Sequence, residues 1–485
     1  MKKSKTILLS SLLFTLFIFQ TTAQDCSCSE SFEATVGTYE KNYSLFIYKV
    51  TEENKGLYQA HTDLMRKKAS EAENLMDCKS VLEQWLDFFR DGHAYIRISA
   101  KSEPKVEKIT ISEKQFKSDF KNKNYDKNPL LGIWQNGAYT AALIPNPKTN
   151  NTKRDYVGVI IETTNEKWSE NEVKFELTTV FGTNYNASFM MSDHSPKSIT
   201  AQQVSAGKLS FEGLGDWIKI WPQTKEEEPQ NIVDLNYNKF HYAELDGIPY
   251  LRFPDFWTVT PEYVDSIMQA NHEKLLAAEF IIVDVRDNGG GNDGTYYPIL
   301  PYMLSGPIQI PNTGYWMSEY NIQQFLNTSD LKEKTYEEYT EEERQTYDYL
   351  MSFKDSVYFE YPDNYFYTYE PDTLYTWPKK VIILVNEGCG SSCETFVYRA
   401  NQSEKVVVYG QNTAGVVDGF NGLSKDIGCF KLTYPSSYRA MDLDKNPIDP
   451  YGIAPDVYIN ENIDALPYAI EHMKILIKNE YSGKK

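Results

Sequence analysis

The stretch Val381-Ile-Ile-Leu-Val-Asn-Glu-Gly-Cys-Gly-Ser391-Ser-Cys-Glu394 decides how this chain is read. An apolar, largely β-branched run predicts a buried strand; a glycine-bearing turn follows, and Glu394 to Ala400 carries a helical pattern. A second stretch repeats the plan. Phe280-Ile-Ile-Val-Asp-Val-Arg286-Asp-Asn-Gly-Gly-Gly291 is another apolar strand that ends in a glycine loop. Around these, Ala243 to Phe253 reads as a hairpin turned at Asp246-Gly247. Pro261 to Ala278 and Tyr296 to Leu304 read as helices, and Val406 to Tyr409 as a further strand. Strand–helix–strand order implies an α/β core with a largely parallel sheet.

Working outward, residues 24–128 read as a mainly helical N-terminal region, with Ser80 as an N-cap and Glu83 three residues on. Residues 129–236 read as a β-rich module and linker, a small barrel or sandwich, with Trp134 and Trp168 as core residues. The α/β domain occupies 237–485. Within it, Glu319 to Asp372 is an acidic, tyrosine-rich insertion, suited to a lid or part of a cleft. Residues 1–23 read as an export signal: Lys2, Lys3 and Lys5 precede an apolar run from Ile7 to Phe19, and small residues before Gln24 offer a cleavage site. No other stretch is long and apolar enough to span a bilayer. The mature chain is therefore expected to be periplasmic or extracellular.

The formal charge of −19 argues against nucleic acid or anionic lipid as a partner. Cys26, Cys28, Cys78, Cys389, Cys393 and Cys429 all follow the signal, so disulfides are expected. Cys26 or Cys28 with Cys78 would staple the N-terminal region, and two of Cys389, Cys393 and Cys429 could pair near the Ser391 turn. A zinc site would need a second cysteine pair to match Cys389-x-x-x-Cys393.

Ser391 sits where a parallel sheet's carboxyl edge meets a helix N-terminus, a place suited to a nucleophile with oxyanion-binding N–H groups beside it. The competing reading is a capping box, because Ser391-x-x-Glu394 has its spacing. The 289–291 glycines let backbone N–H groups converge on an anion. A phosphate loop would need a following Gly-Lys-Ser/Thr, which is missing.

Taken together, Asp284-Val-Arg-Asp-Asn-Gly-Gly-Gly291, Gly390-Ser-Ser-Cys-Glu394, Gly410-Gln-Asn-Thr-Ala-Gly415 and Gly452-Ile-Ala-Pro-Asp456 resemble, in order and spacing, four motifs of the tail-specific (C-terminal-processing) serine protease superfamily. The resemblance covers about residues 240 to 460. It implies a ClpP/crotonase-like spiral of βαβ units and serine-type endopeptidase activity on peptide or protein substrates, with no metal or cofactor required. It implies Ser391 as nucleophile, and Ser392 and Gly290 as backbone oxyanion donors, with Gly289 and Gly291 as alternatives to Gly290. Many relatives use a lysine base after the Gly-x-x-Thr-x-Gly loop. Here Val416 stands there, and it cannot accept a proton. The tricorn-like branch instead takes its base from an Asp-Gly/Ser-His motif, which Asp91-Gly92-His93 resembles. His93 is then the general base. Its orienting carboxylate is expected at Asp449, with Asp91 as the alternative.

Two departures from the family pattern stand out. Gly92 replaces the serine that helps relay to a glutamate in the tricorn protease. No PDZ-type carboxylate loop precedes residue 240, so recognition of substrate C-termini is not implied. The rival functions are a catalytically inactive peptide- or ligand-binding protein on the same scaffold, and a glycan- or envelope-binding protein whose β-rich module carries the function.

Overall fold

The computed structural model describes residues 27–99, 105–148, 154–212, 214–222, 239–327, 334–361, 365–440, 443 and 445–482. The export signal and Cys26 lie outside these. No helix among the described residues is long and apolar enough to cross a membrane.

The α/β part is built on a six-stranded sheet in the order His241–Leu245, Ile248–Arg252, Phe280–Asp284, Lys380–Val385, Val406–Gly410, Val457–Tyr458. The first two form the expected antiparallel hairpin, with Asp246 and Gly247 at positive φ, and all later pairings are parallel. Strand residues alternate between two cores. Ile281, Val283, Val381 and Ile383 pack with Val264, Met268, Phe396 and Val397, residues of the helices Pro261–Ala270 and Ser392–Ala400. Ile282, Ile382 and Leu384 face the opposite side, against Ala469, Met473 and Ile477 of the helix Ala465–Ser482. Both faces are covered, which explains why these strands read as continuous apolar runs. The expected helix at Tyr296–Leu304 is a 3₁₀ turn, Asp293–Ile299, leading into Leu300–Met303.

A second sheet runs in the order Tyr95–Ile98, Phe430–Ala440, Ile308–Trp316, Val357–Phe359. Gly419–Ile427 and Phe366–Tyr369 pair alongside it. Tyr95 lies opposite Thr433 and Ile98 opposite Phe430. The strand that follows His93 is thus stitched to the far end of the chain. The N-terminal helices share one core with this sheet, in which Phe32, Tyr39, Trp85 and Phe89 meet Ile96, Phe430, Leu432 and Tyr434. Cys28–Cys78 ties the helix Cys28–Asn42 to Leu75–Leu86. The second helix starts earlier than expected. Asn74, not Ser80, is its N-cap, because Asn74 Oδ1 accepts from the amides of both Met76 and Asp77.

The β-rich module is a closed barrel of antiparallel strands, sealed by pairing of Gly132–Asn136 with Gly215–Trp221. Trp134, Phe175, Phe211 and Trp217 fill it, and Trp168 is buried too. In the insertion, the helices Glu319–Asn327 and Glu341–Met351 pack around Met317, Ile322 and Tyr339.

Candidate active site

The buried strand Lys380–Val385 delivers the chain to the turn 386–391, and the helix Ser392–Ala400 begins at once. Ser391 has φ 55° and ψ −122° and makes no side-chain cap hydrogen bond. The capping-box reading therefore fails for the serine side chain. A non-glycine residue in this region costs about 1–3 kcal/mol and persists only where its surroundings enforce it. The Ser391 hydroxyl instead lies 3.1 Å from His93 Nε2. Glu394 is fully buried, and its carboxylate accepts from Thr413 Oγ1 (2.6 Å), Gly415 N (2.7 Å) and Val416 N (2.8 Å). It clamps the Gly410–Gly415 motif onto the helix Ser392–Ala400. Burial pushes its carboxyl upward, against the pull of these donors.

The glycine loop docks directly on this turn. Asp284 at its base is fully buried; the burial that would raise its pKa is outweighed, chiefly by Arg286, so its carboxyl is held low. Gly290 has φ +96°, and a Cβ there would stand 2.8 Å from Gly390 O, Ser391 Cβ and Ser392 N. Only glycine permits this approach. The Gly290 N–H donates to Asn288 Oδ1 at 2.8 Å, while Asn288 O accepts from Gly390 N at 3.0 Å. Gly290's amide is thus engaged within its own loop. Gly291 forms a parallel bridge with Phe256 in which Gly290 O and Asn292 N make the bonds. That pattern directs Gly291's own N–H and C=O to the other edge, where its carbonyl accepts from Ser392 Oγ at 2.7 Å. Among the described residues, neither the Gly291 nor the Ser392 amide donates to a protein acceptor.

His93 arrives from the N-terminal region. Asp91 is buried; its Oδ1 accepts from the His93 amide (2.9 Å) and its Oδ2 from Tyr43 hydroxyl (2.6 Å). Both oxygens are thus occupied in shaping the loop. Gly92 packs against Val416, whose Cγ1 would lie 2.1 Å from a Cβ at position 92. The residue found where relatives keep a lysine therefore requires a glycine before the histidine. Asp449 is buried beside Val416's neighbours, with Oδ1 accepting from Val417 N (2.7 Å) and Asp418 N (3.1 Å). Burial first, then the charge of Asp418, pushes its carboxyl up to about 8, with Asp91 adding to the shift. Asp418 itself is paired with Arg439. Two buried atoms here lack a hydrogen-bond partner among the described residues: His93 Nδ1 and Asp449 Oδ2.

The structure thus brings Ser391, Ser392, His93 and the glycine loop together, with Asp449 set behind. Sequence reasoning missed Tyr43, which nothing in its helix pattern singles out. It also missed Asn288, although Asn-Gly-Gly carries an Asx-turn signal. Cys389–Cys393 forms a disulfide around the Ser391 turn, and Cys429 is disulfide-bonded as well.

The fold and site define a hydrolase-type arrangement, with a serine hydroxyl and an imidazole facing each other beside convergent backbone amides. Residues 247–459 match the sequence model of Peptidase family S41, so the recognition of the tail-specific protease superfamily holds over that stretch, as does the expectation of a serine peptidase. No curated protein matches the chain. Among solved structures the chain is similar to mature CPAF, at 14% identity over 89% of this chain and 93% of that one, with a TM-score of 0.46. It is also similar to the photosystem II D1 C-terminal processing protease, at 11% identity over 90% and 94%, with a TM-score of 0.37. A third is the tricorn protease, at 14% identity over 92% of this chain and 36% of that one, with a TM-score of 0.37.

Proposed function

We propose that this protein is an exported serine endopeptidase that hydrolyses peptide bonds through an acyl-enzyme on Ser391, with His93 as general base. The observation that carries the proposal is the 3.1 Å approach of His93 Nε2 to Ser391 Oγ, between residues 298 apart in sequence. The Ser391 hydroxyl donates to neutral Nε2, and as Oγ attacks the substrate carbonyl its proton passes to the imidazole. The imidazolium then protonates the leaving amine, and water, deprotonated by His93, releases the acyl group. The N–H groups of Ser392 and Gly291 face the developing oxyanion, with Gly291 replacing Gly290 in that role. Asp449 is the carboxylate proposed to orient His93. What supports this is that Asp449 Oδ2 and His93 Nδ1 are both buried without a hydrogen-bond partner among the described residues; an ionised Asp449 can accept from an Nδ1–H, directly or through one water.

The parallel sheet with helices on both faces is consistent with a ClpP/crotonase-like arrangement of βαβ units. Export is supported by the Lys2–Ala23 sequence pattern and by disulfides, which persist in oxidising compartments.

The test is labelling of the purified mature chain with a fluorophosphonate probe, alongside Ser391→Ala. Labelling that disappears in the variant supports an activated serine at 391. A folded wild type that stays unlabelled sinks the catalytic reading and favours a ligand-binding protein.

A further inference from the structure

Ser391 lies at the centre of a small covalent ring. Cys389 and Cys393 are four residues apart, with Cα atoms 5.4 Å apart, and their disulfide closes over Gly390, Ser391 and Ser392. Both cysteines are fully buried, so the ring is set into the protein on either side of the serine. Its backbone is pinned at several points. Cys389 N donates to Asn386 O (2.9 Å), Cys389 O accepts from Ala414 N (2.9 Å), and Cys393 N donates to Gly390 O (3.0 Å). Cys393 Sγ lies 3.6 Å from Val285 O, at the root of the glycine loop. Within this ring Ser391 keeps its φ of 55°, and the Ser392 amide stays without a protein acceptor.

A serine before a helix ordinarily takes extended backbone angles and caps the helix with its own oxygen. The ring works against that relaxation. A short disulfide loop removes backbone conformations from the turn. We infer that Cys389 and Cys393 are positioning residues for the nucleophile: their disulfide holds the Ser391 hydroxyl towards His93 and the Ser392 N–H towards the oxyanion. The inference rests on the reading of Ser391 as nucleophile. It also ties activity to the oxidising side of a membrane, because reducing compartments keep such cysteines as thiols.

The experiment compares wild type with Cys389→Ala/Cys393→Ala, both as the mature full chain, in saturable labelling by a fluorophosphonate probe. The expected result is a maximal labelling rate lower by up to about 100-fold, as misplacement by about 1 Å would give, with the probe's half-saturation concentration unchanged and the circular dichroism spectrum retained. An unchanged maximal rate in the folded variant overturns the inference. Failure of the nucleophile reading is seen separately, as wild type that does not label at Ser391 at all. Should the double variant not fold, wild type is treated with dithiothreitol until alkylation shows Cys389 and Cys393 fully reduced. Labelling that falls in step with opening of this ring while Cys28, Cys78 and Cys429 remain unalkylated supports the inference, and labelling that persists with the ring open overturns it.

Discussion

Replacing Gly92 by alanine tests the geometry of the site more sharply than removing a reactive group does. A Cβ at position 92 would stand 2.1 Å from Val416 Cγ1 and 3.0 Å from Val416 Cβ. Carbon atoms normally approach to about 3.5–4.0 Å, so the overlap with Cγ1 is about 1.5 Å. Valine is stiff at χ1, and its Cβ is itself too close, so rotation of Val416 offers little relief. The loop Asp91–His93 must move, and it carries the imidazole with it. A shift of about 1 Å takes Nε2 out of productive reach of Ser391 Oγ and costs on the order of 100-fold in rate. Overpacking should also lower stability by about 1–3 kcal/mol. Gly92→Ala is therefore expected to label with a fluorophosphonate probe about 100-fold more slowly than wild type. Val416→Ala alone should stay within a few-fold of wild type. The double variant removes the 2.1 Å contact and leaves only the 3.0 Å one, so it should recover most of the rate. The corresponding coupling energy is about 1–3 kcal/mol. Wild-type labelling by Gly92→Ala, or a double variant no faster than Gly92→Ala, would refute the claim that Val416 fixes the histidine loop.

Further expectations concern the base and its carboxylate. His93→Ala should retain its fold and lose several orders of magnitude in labelling rate, as removal of one member of such a group does; hydrolysis at the wild-type rate would remove His93 from the mechanism. Asp449 has its carboxyl raised to about 8 from an ordinary value near 4, so in that window the folded state holds a proton that the unfolded state releases. Stability should then fall as pH rises from about 4 to about 8, by at most about 1.4 kcal/mol per unit from this group. Asp449→Asn removes that dependence. Thermal unfolding at pH 5, 6.5 and 8 should show the variant gaining on wild type as pH rises, and parallel curves would contradict a protonated Asp449.

Much of the site was legible because its parts are local. An apolar strand that runs into glycines specifies a sheet edge with a tight turn, and two such segments give the Ser391 turn and the glycine loop that docks on it. What stayed hidden depends on partners distant in sequence. Ser391-x-x-Glu394 has the spacing of a capping box. That spacing cannot reveal that Thr413, Gly415 and Val416 occupy the Glu394 carboxylate, or that His93 receives the hydroxyl. Barrel and sandwich could not be told apart in the β-rich module, since closure rests on the long-range pairing of Ile133 with Trp221. The Ser80 cap failed for a more local reason: Asn74 offers a better one, and Cys78 must lie within the helix to face Cys28.

The two carboxylates near His93 show why residue type alone could not assign the orienting role. Asp91 and Asp449 are both buried aspartates. Each Asp91 oxygen already accepts a hydrogen bond, one from the His93 amide and the other from the Tyr43 hydroxyl. It fixes where the backbone of His93 lies, and is itself held by Tyr43, the C-cap of the helix Cys28–Asn42. Asp449 has one oxygen on the Val417 and Asp418 amides and one without a partner. An imidazole that takes the serine's proton becomes cationic, and a cation beside Asp449 favours its ionised form. The unpartnered Oδ2 is what favours Asp449 for the proposed orienting role, which it can fill as an acceptor only in its ionised form.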